Sequence, residues 1–272
     1  MMNPADPLAR SLAAARVIDL EQPRFAGMPV HPAHRPAYFY GLYRRHRDNY
    51  RPETDGPRSS SSGVVTMMEH SGTHIDALCH QACDLELYGG VRVEDVETSS
   101  GYKQLGVETV PPLVGRGVLL DVAALKKVDR LPPHYSITAD ELQACARDSQ
   151  VEVGAGDVLL VRTGYGSTWK DEATYMMAAG VGKSGTLWAA DRGVVAVGAD
   201  NLVWDAIEER DPETGSTLFA HLHLLQRRGI YIIENLNLEA LGAAKVYAFA
   251  FVGIPLKLRG ATGSPIRPIA LV

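Results

Sequence analysis

Residues 70–80 read His-Ser-Gly-Thr-His-Ile-Asp-Ala-Leu-Cys-His, which puts three imidazoles and one carboxylate into a single short segment. Imidazole nitrogen and carboxylate oxygen are the usual donors to a catalytic zinc or similar divalent ion, and such a site keeps a coordination position for water. The cluster constrains the fold before any other feature does. Fully extended, residues 70–76 would span roughly 20 Å, too far for three side chains to meet on one ion. The backbone must therefore turn, and Ser71-Gly72 supplies the turn because glycine reaches positive φ at little cost. Beyond it His74 and Asp76, at i and i+2, share one face of an extended segment. Glu69 precedes His70 and so points to the other face, where a solvated carboxylate is the simpler account.

Composition sets limits around this cluster. A chain of 272 residues with 46% hydrophobic content can bury one substantial core, and a single domain over residues 1–272 is expected. There is no run of eighteen apolar residues, and Met1 to Leu20 lacks the basic start and apolar middle of a secretory signal. Neither a membrane span nor export is expected, and the location expected is cytoplasmic. Cys79, Cys83 and Cys145 form an odd set in a chain that needs no disulfide staples, so reduced thiols are expected. Cys79 and Cys83 lie beside His80 and could ligate a soft metal, but i, i+4 spacing equally suits two small residues packed on a helix. The formal net charge of −5 argues against nucleic acid as partner, since phosphate binding draws on clustered lysine and arginine. One basic patch exists, Arg44, Arg45, Arg47 and Arg51, after the aromatic group Tyr38, Phe39, Tyr40 and Tyr43. Covering a small-molecule site or packing on a second subunit is a better use of it, and a homodimer or homotetramer is expected.

The chain reads as α/β, a mixed sheet with few helices. Val17 to Leu20 is a short strand, residues 21–62 are a loop-rich arm, and Val64 to Met68 is the strand leading into the metal cluster. Gly117 to Val122 and Gly156 to Gly164 hold valine- and leucine-rich runs bounded by glycine and charge, which read as buried strands. Thr138-Ala139-Asp140-Glu141 has the capping-box pattern and opens a helix through about Ser149. Met176 to Gly182 and Ser184 to Arg192 are helical or loop-like, Val194 to Val197 is a strand, Leu218 to Arg228 is helical and Val246 to Val252 is a final buried strand. Ile230 to Ile233 is an apolar, β-prone run whose end carries Glu234, and functional groups in α/β folds gather at strand ends. Glu234 could equally just terminate the strand, and His221 could cap the helix ending at Gly229. Trp204 is a candidate stacking wall for a substrate or a core residue. Asn201 is a candidate hydrogen-bond donor or a turn residue.

The motif in residues 70–80 resembles that of the metal-dependent cyclase-like hydrolases, the family of the bacterial kynurenine formamidase and isatin hydrolase type, whose signature reads His-x-Gly-Thr-His-x-Asp-x-Pro-x-His. His70, Gly72, Thr73, His74, Asp76 and His80 stand in register, and Leu78 takes the place of the usual proline, which touches loop stiffness and leaves the donor set intact. Gly117–Val122, Gly156–Gly164, Val197–Asn201 and Thr262–Arg267 extend the likeness over nearly the whole chain. The resemblance implies a compact swivelling β/β/α architecture, metal ligation by His70, His74 and Asp76, and His80 as a general acid/base. It also implies a second half-site at His221 and Glu234, with Asp76 bridging if two ions are held; His223 matches no ligand position. Zinc or manganese suits the donor set, as one ion or two. The function implied is hydrolysis of a carbon–nitrogen amide bond in a small aromatic or cyclic substrate, an aryl formamide or lactam, by metal-activated water. A lactone hydrolase or cyclase could use the same ions, and a non-catalytic metal-binding protein is the third reading.

Overall fold

In the computed structural model, which describes residues 6–36 and 38–272, the two valine- and leucine-rich runs lie side by side at the centre of one sheet. The strands that position the site are β1 (Val17–Asp19), β2 (Tyr38–Arg44), β3 (Ser62–Met67), β4 (His74–Asp76), β5 (Leu113–Asp121) and β6 (Val158–Arg162). They are followed by β7 (Ala196–Ala199), β8 (Tyr231–Glu234), β9 (Ala248–Gly253), β10 (Gly263–Pro265) and β11 (Ile269–Leu271). All but β2 and β3 join a nine-stranded mixed sheet in the order β1-β11-β9-β5-β6-β7-β8-β4-β10. Within this sheet the block β5-β6-β7-β8 is parallel and the other pairings are antiparallel.

Strands buried on both faces carry apolar side chains throughout, and their period of two sorts those side chains into two cores. Val118, Leu120, Leu159, Val161 and Val197 face one side, where Leu142 and Cys145 of helix α1 (Ala139–Asp148) and Ala189 of helix α2 (Lys183–Asp191) cover them. Leu119, Val158, Leu160 and Ala196 face the other side, with Ile75, Ile233 and Phe251. Helix α1 begins at the expected capping box: Glu141 N–H donates to Thr138 Oγ1 at 3.4 Å and Thr138 N–H donates to Glu141 Oε2 at 2.9 Å.

The structure departs from the sequence reading at several elements. The segment 21–62 is not loop throughout, because β2 starts at Tyr38 and a helical turn spans Pro52–Asp55. The strand before the metal cluster pairs only with β2, as a hairpin with a register shift between Leu42 and Arg44, and stays outside the sheet. β9 is not the last strand and not wholly buried; it alternates exposed and buried residues, and β11 follows it. Cys79 and Cys83 lie in a turn region, not on a helix. The helix expected over 218–228 is one α turn, Phe219–His221, continuing as a π-helix, Leu222–Arg228, which ends at Gly229 with φ of 65°.

The carboxyl ends of β6, β7 and β8 are tied together through Asp200. Its buried carboxylate accepts from Thr163 N at 2.6 Å, Thr163 Oγ1 at 2.7 Å, Gly164 N at 2.9 Å and Gly166 N at 3.3 Å. The next residue, Asn201, accepts at its carbonyl from Asn235 N at 2.9 Å. An unmade buried hydrogen bond costs about 1–3 kcal/mol. Asp200→Ala is therefore expected to lower unfolding stability by at least about 2 kcal/mol, read from chemical denaturation; a shift within error would show that these donors find water instead.

Candidate metal centre

The site grows from the pairing of β4 with β8. Ile232 stands opposite Asp76, Ile233 opposite Ile75 and Glu234 opposite His74. Ile75 and Ile233 go into a core, and the alternation puts His74, Asp76 and Glu234 together on the other face. The turn ahead of β4 is made by Gly72 at φ of 63°, as its place in the motif requires. Thr73 locks that turn to the end of β8: its Oγ1 donates to the Asn235 carbonyl at 2.6 Å and accepts from Gln22 N at 2.9 Å. Asn235 Nδ2 donates to the Gly72 carbonyl at 3.1 Å. Gly263 of β10 lies against His70, and a Cβ there would stand 2.6 Å from His70 Cε1.

His74 Nε2 lies 3.5 Å from Asp76 Oδ1 and 3.4 Å from Glu234 Oε2. His221 Nε2 lies 3.5 Å from Asp76 Oδ2 and 3.4 Å from Glu234 Oε1. Donors about 2.1 Å from a tetrahedral zinc are about 3.4 Å from one another, so each histidine stands at a spacing from its two carboxylate oxygens that suits sharing a cation with them. Asp76 Oδ2 is buried and has no hydrogen-bond partner, a vacancy that a cation would fill. The other ring nitrogen of each histidine is held so that Nε2 faces the site: His74 Nδ1 bonds the Gly72 carbonyl at 2.8 Å, and His221 Nδ1 bonds Asp205 Oδ2 at 2.6 Å. Asp205 Oδ1 also accepts from Ala220 N at 2.6 Å. Close approach of this strand is possible because residue 180 is glycine; a Cβ there would be 2.1 Å from the Asp205 carbonyl oxygen.

His70 is buried beside the four, with Nδ1 2.9 Å from Asp76 Oδ1 and Nε2 2.7 Å from Thr262 Oγ1. Donor atoms of His70, His74 and Asp76 lie within 4.8 Å of one another, as do those of Asp76, His80 and His221 and those of His34, His70 and His80; the first two groups share Asp76. Burial alone would push the Asp76 carboxyl up, but His80, His221 and His70 around it hold it well below the usual range. Burial resists a charge on His221, yet Asp205, Asp76 and Glu234 overcome it and raise its pKa well above the ordinary value. For His80 burial wins: against the pull of Asp76, and with His70 and His221 adding repulsion, its pKa falls well below the ordinary value. The His80 ring stacks on His70 with centroids 3.9 Å apart and stands edge-on to His221 at 6.1 Å. Gln81 Nε2 reaches His80 Nε2 at 3.4 Å.

A cavity of about 220 Å³ opens on this cluster, lined by His70, His74, His80, His221, Glu234 and Asn235 on the donor side and by Val30, Leu202, Val203 and Leu218 on the other. Two candidates from the sequence do not reach it. Trp204 is wholly buried, its indole N–H donates to Thr186 Oγ1 at 3.1 Å, and it serves the site through its backbone N–H, which donates to Glu234 Oε1 at 2.9 Å. Asn201 is buried with Nδ2 donating to the Ala179 carbonyl at 2.7 Å; the neighbouring Leu202 and Val203 line the cavity instead. Glu69 is not simply solvated, since its Oε1 accepts from Thr262 N at 3.2 Å and from Thr262 Oγ1, which also contacts His70. His223 lies away from the cavity, its ring stacked on Phe219 at 5.3 Å. Sequence reasoning missed Asp205, Asn235 and the arm residues His31 and His34. For the last two the spacing of His31-Pro32-Ala33-His34 was an available signal.

The cyclase family model, described as "Putative cyclase", matches residues 18–206, more than half of the chain. Isatin hydrolase from Roseibium aggregatum is 27% identical over 228 residues, covering 81% of this chain and 78% of that protein. Kynurenine formamidase from Bordetella petrii is 26% identical over 257 residues, covering 93% and 97%. A crystal structure described as a novel cyclase matches with a TM-score of 0.84 at 28% identity, covering 100% of this chain and 92% of that one. An isatin hydrolase bound to the product analogue thioisatinate shares the fold, with a TM-score of 0.74 at 23% identity over 100% of this chain and 99% of that one. The mixed α/β architecture, the matched family model and these relatives agree: the chain belongs to the cyclase family and is a hydrolase of that family.

Proposed function

We propose that this protein hydrolyses the carbon–nitrogen bond of a small aromatic or cyclic amide, an aryl formamide or a lactam, with one or two divalent cations, zinc or manganese, held by His70, His74 and Asp76 and by a second half-site at His221 and Glu234. The observation that carries the reading is that His74 Nε2 and His221 Nε2 each stand 3.4–3.5 Å from one oxygen of Asp76 and one of Glu234, while buried Asp76 Oδ2 has no hydrogen-bond partner. Where two ions are held, Asp76 is the residue common to both donor groups. Such a cation supplies Lewis-acid polarisation of a carbonyl and a water acidified from a pKa of about 15.7 to about 7.

The chain's own residues do the rest. Asp205 and the Gly72 carbonyl keep the His221 and His74 rings turned so that their Nε2 lone pairs face inward. His80, stacked on His70 and lining the cavity, accepts the proton of the attacking water and returns it to the leaving nitrogen. Val30, Leu202, Val203 and Leu218 present an apolar wall to the substrate body and keep bulk water from the reacting carbonyl.

A homodimer or homotetramer is also proposed, and the β2–β3 hairpin supports it. Among the described residues no helix is long and apolar enough to cross a membrane. Phe39, Tyr40, Leu42, Tyr43, Val64 and Val65 are all exposed on the hairpin, and a lone two-stranded ribbon is marginally stable in water. Light scattering at micromolar concentration is expected to give at least twice the 29.4 kDa chain mass; a monomer would overturn the assembly.

Purified protein assayed for metal content and for turnover of formanilides, lactams and lactones tests the main reading. His74→Ala is expected to lose both metal and turnover, and His80→Ala to keep metal while losing turnover. A fully metallated His74→Ala protein would remove that ligand, and an active His80→Ala protein would remove the base. Asp205→Asn is expected to weaken metal affinity by about 10–100-fold in a chelator competition, the usual effect of losing a carboxylate behind a ligating histidine; unchanged affinity would leave Asp205 a purely structural role.

A further inference from the structure

The cavity has a third side that the amide-hydrolase reading does not use. The arm passes over its mouth as a 3₁₀ turn, Pro32–His34, and His31 and His34 line the cavity from there. His31 caps the start of this turn and His34 ends it, and both imidazoles reach the cavity. Their rings are 5.9 Å apart. The His34 ring lies 4.8 Å from that of His70 and 6.1 Å from that of His80, and among the described residues its nitrogens make no hydrogen bond. His31 lies toward the other end of the cluster, where it feels the charges of Glu234 and His221. Its Nδ1 accepts from Ala33 N at 3.3 Å, so the hydrogen of the neutral ring sits on Nε2. The turn is pinned on both sides, by buried Val30 before it and by the Arg35 Nη2–Glu172 Oε1 pair at 2.8 Å after it.

We propose that His31 and His34 are specificity-determining residues that donate hydrogen bonds to an uncharged oxygen acceptor on the substrate, beyond the scissile amide. Among the described residues no lysine or arginine lines the cavity, so no permanently charged side chain is there for a carboxylate beyond the metal donors, and no phenyl or indole ring lines it either. The substrate selected is compact and neutral, since about 220 Å³ is below the roughly 300–1,000 Å³ of sites for drug-sized ligands. Its apolar body rests on Val30, Leu202, Val203 and Leu218, and its second oxygen meets the imidazoles of the arm. Strong discrimination is expected from such a roof, because a site built to donate hydrogen bonds leaves its donors unpaired when the acceptor is missing.

This inference rests on the amide-hydrolase reading for its turnover assay and on binding for its independent check. The probes are acetyl-substituted formanilides, their near-isosteric isopropyl counterparts and the carboxyl-substituted formanilides, each at the three ring positions, together with the corresponding anilines for calorimetric binding. With wild-type protein of measured metal content, at least one acetyl probe is expected to exceed its isopropyl isostere by about tenfold or more in kcat/KM, and its aniline to bind correspondingly tighter. The ratio should collapse toward one in His31→Ala/His34→Ala, with metal content kept, and recover in large part in His31→Gln/His34→Gln, which restores donors. Discrimination that survives the double alanine variant, absence of discrimination in the wild type, or preference for the carboxyl probes would each overturn the proposal. Aniline binding that discriminates without any turnover would uphold the roof and overturn the amide reading, and turnover of all formanilides alike would do the reverse.

Discussion

Two carboxylates held out of water beside each other are what the rest of this structure has to accommodate. Asp76 and Glu234 are both buried, on neighbouring strands, and one oxygen of Asp76 makes no hydrogen bond, with the His221 imidazole 3.5 Å away. Burying a carboxylate without a partner is expensive enough that native proteins pair it with a cation or a donor. His74 and His221 stand where each can answer both carboxylates, and a divalent ion held by these side chains would satisfy the remaining oxygen. The costly arrangement and the chemically useful one coincide.

Much of this was legible in the sequence because it follows from local backbone geometry. A glycine two residues before His74 announced the turn, and spacing by two announced that His74 and Asp76 share a face; Gly72 adopts φ of 63° and both side chains turn inward. The apolar runs around Leu119 and Leu159 became the buried parallel strands, and Thr138 with Glu141 became a capping box, each a signal contained within a few residues. The lesson differs where a role is decided by what a residue meets far along the chain. Asp205 earns its place only through His221, sixteen positions away, and Thr262 through His70 and Glu69, nearly two hundred positions away. No pattern in a single sequence encodes such meetings.

Trp204 and Asn201 illustrate a second limit. Both sit in the segment that passes the site, and both have functional-looking side chains, yet each turns its side chain into the core and offers the site only its backbone or its neighbours. Chemistry-bearing residue types next to a strand end are poor guides to orientation once the chain leaves regular structure, because no fixed period then relates one side chain to the next. The arm failed in the opposite sense. Its prolines suggested loop, but an aromatic, β-prone run within it found a partner strand across the connection of residues 45–61.

Register links these observations. In a sheet a slip of one residue exchanges the two faces of a strand completely. On β4 such a slip would carry Ile75 out of the core and drive His74 and Asp76 into it, and on β8 it would do the same to Ile233 and Glu234. The hydrophobic side chains that hold the strands in place thus also aim the donors, without any of them touching a substrate. Thr73 and Asn235 finish the alignment by bonding the turn before β4 to the end of β8. Specificity is then free to reside elsewhere, on the arm, where side chains can change without disturbing the pairing that the metal centre requires.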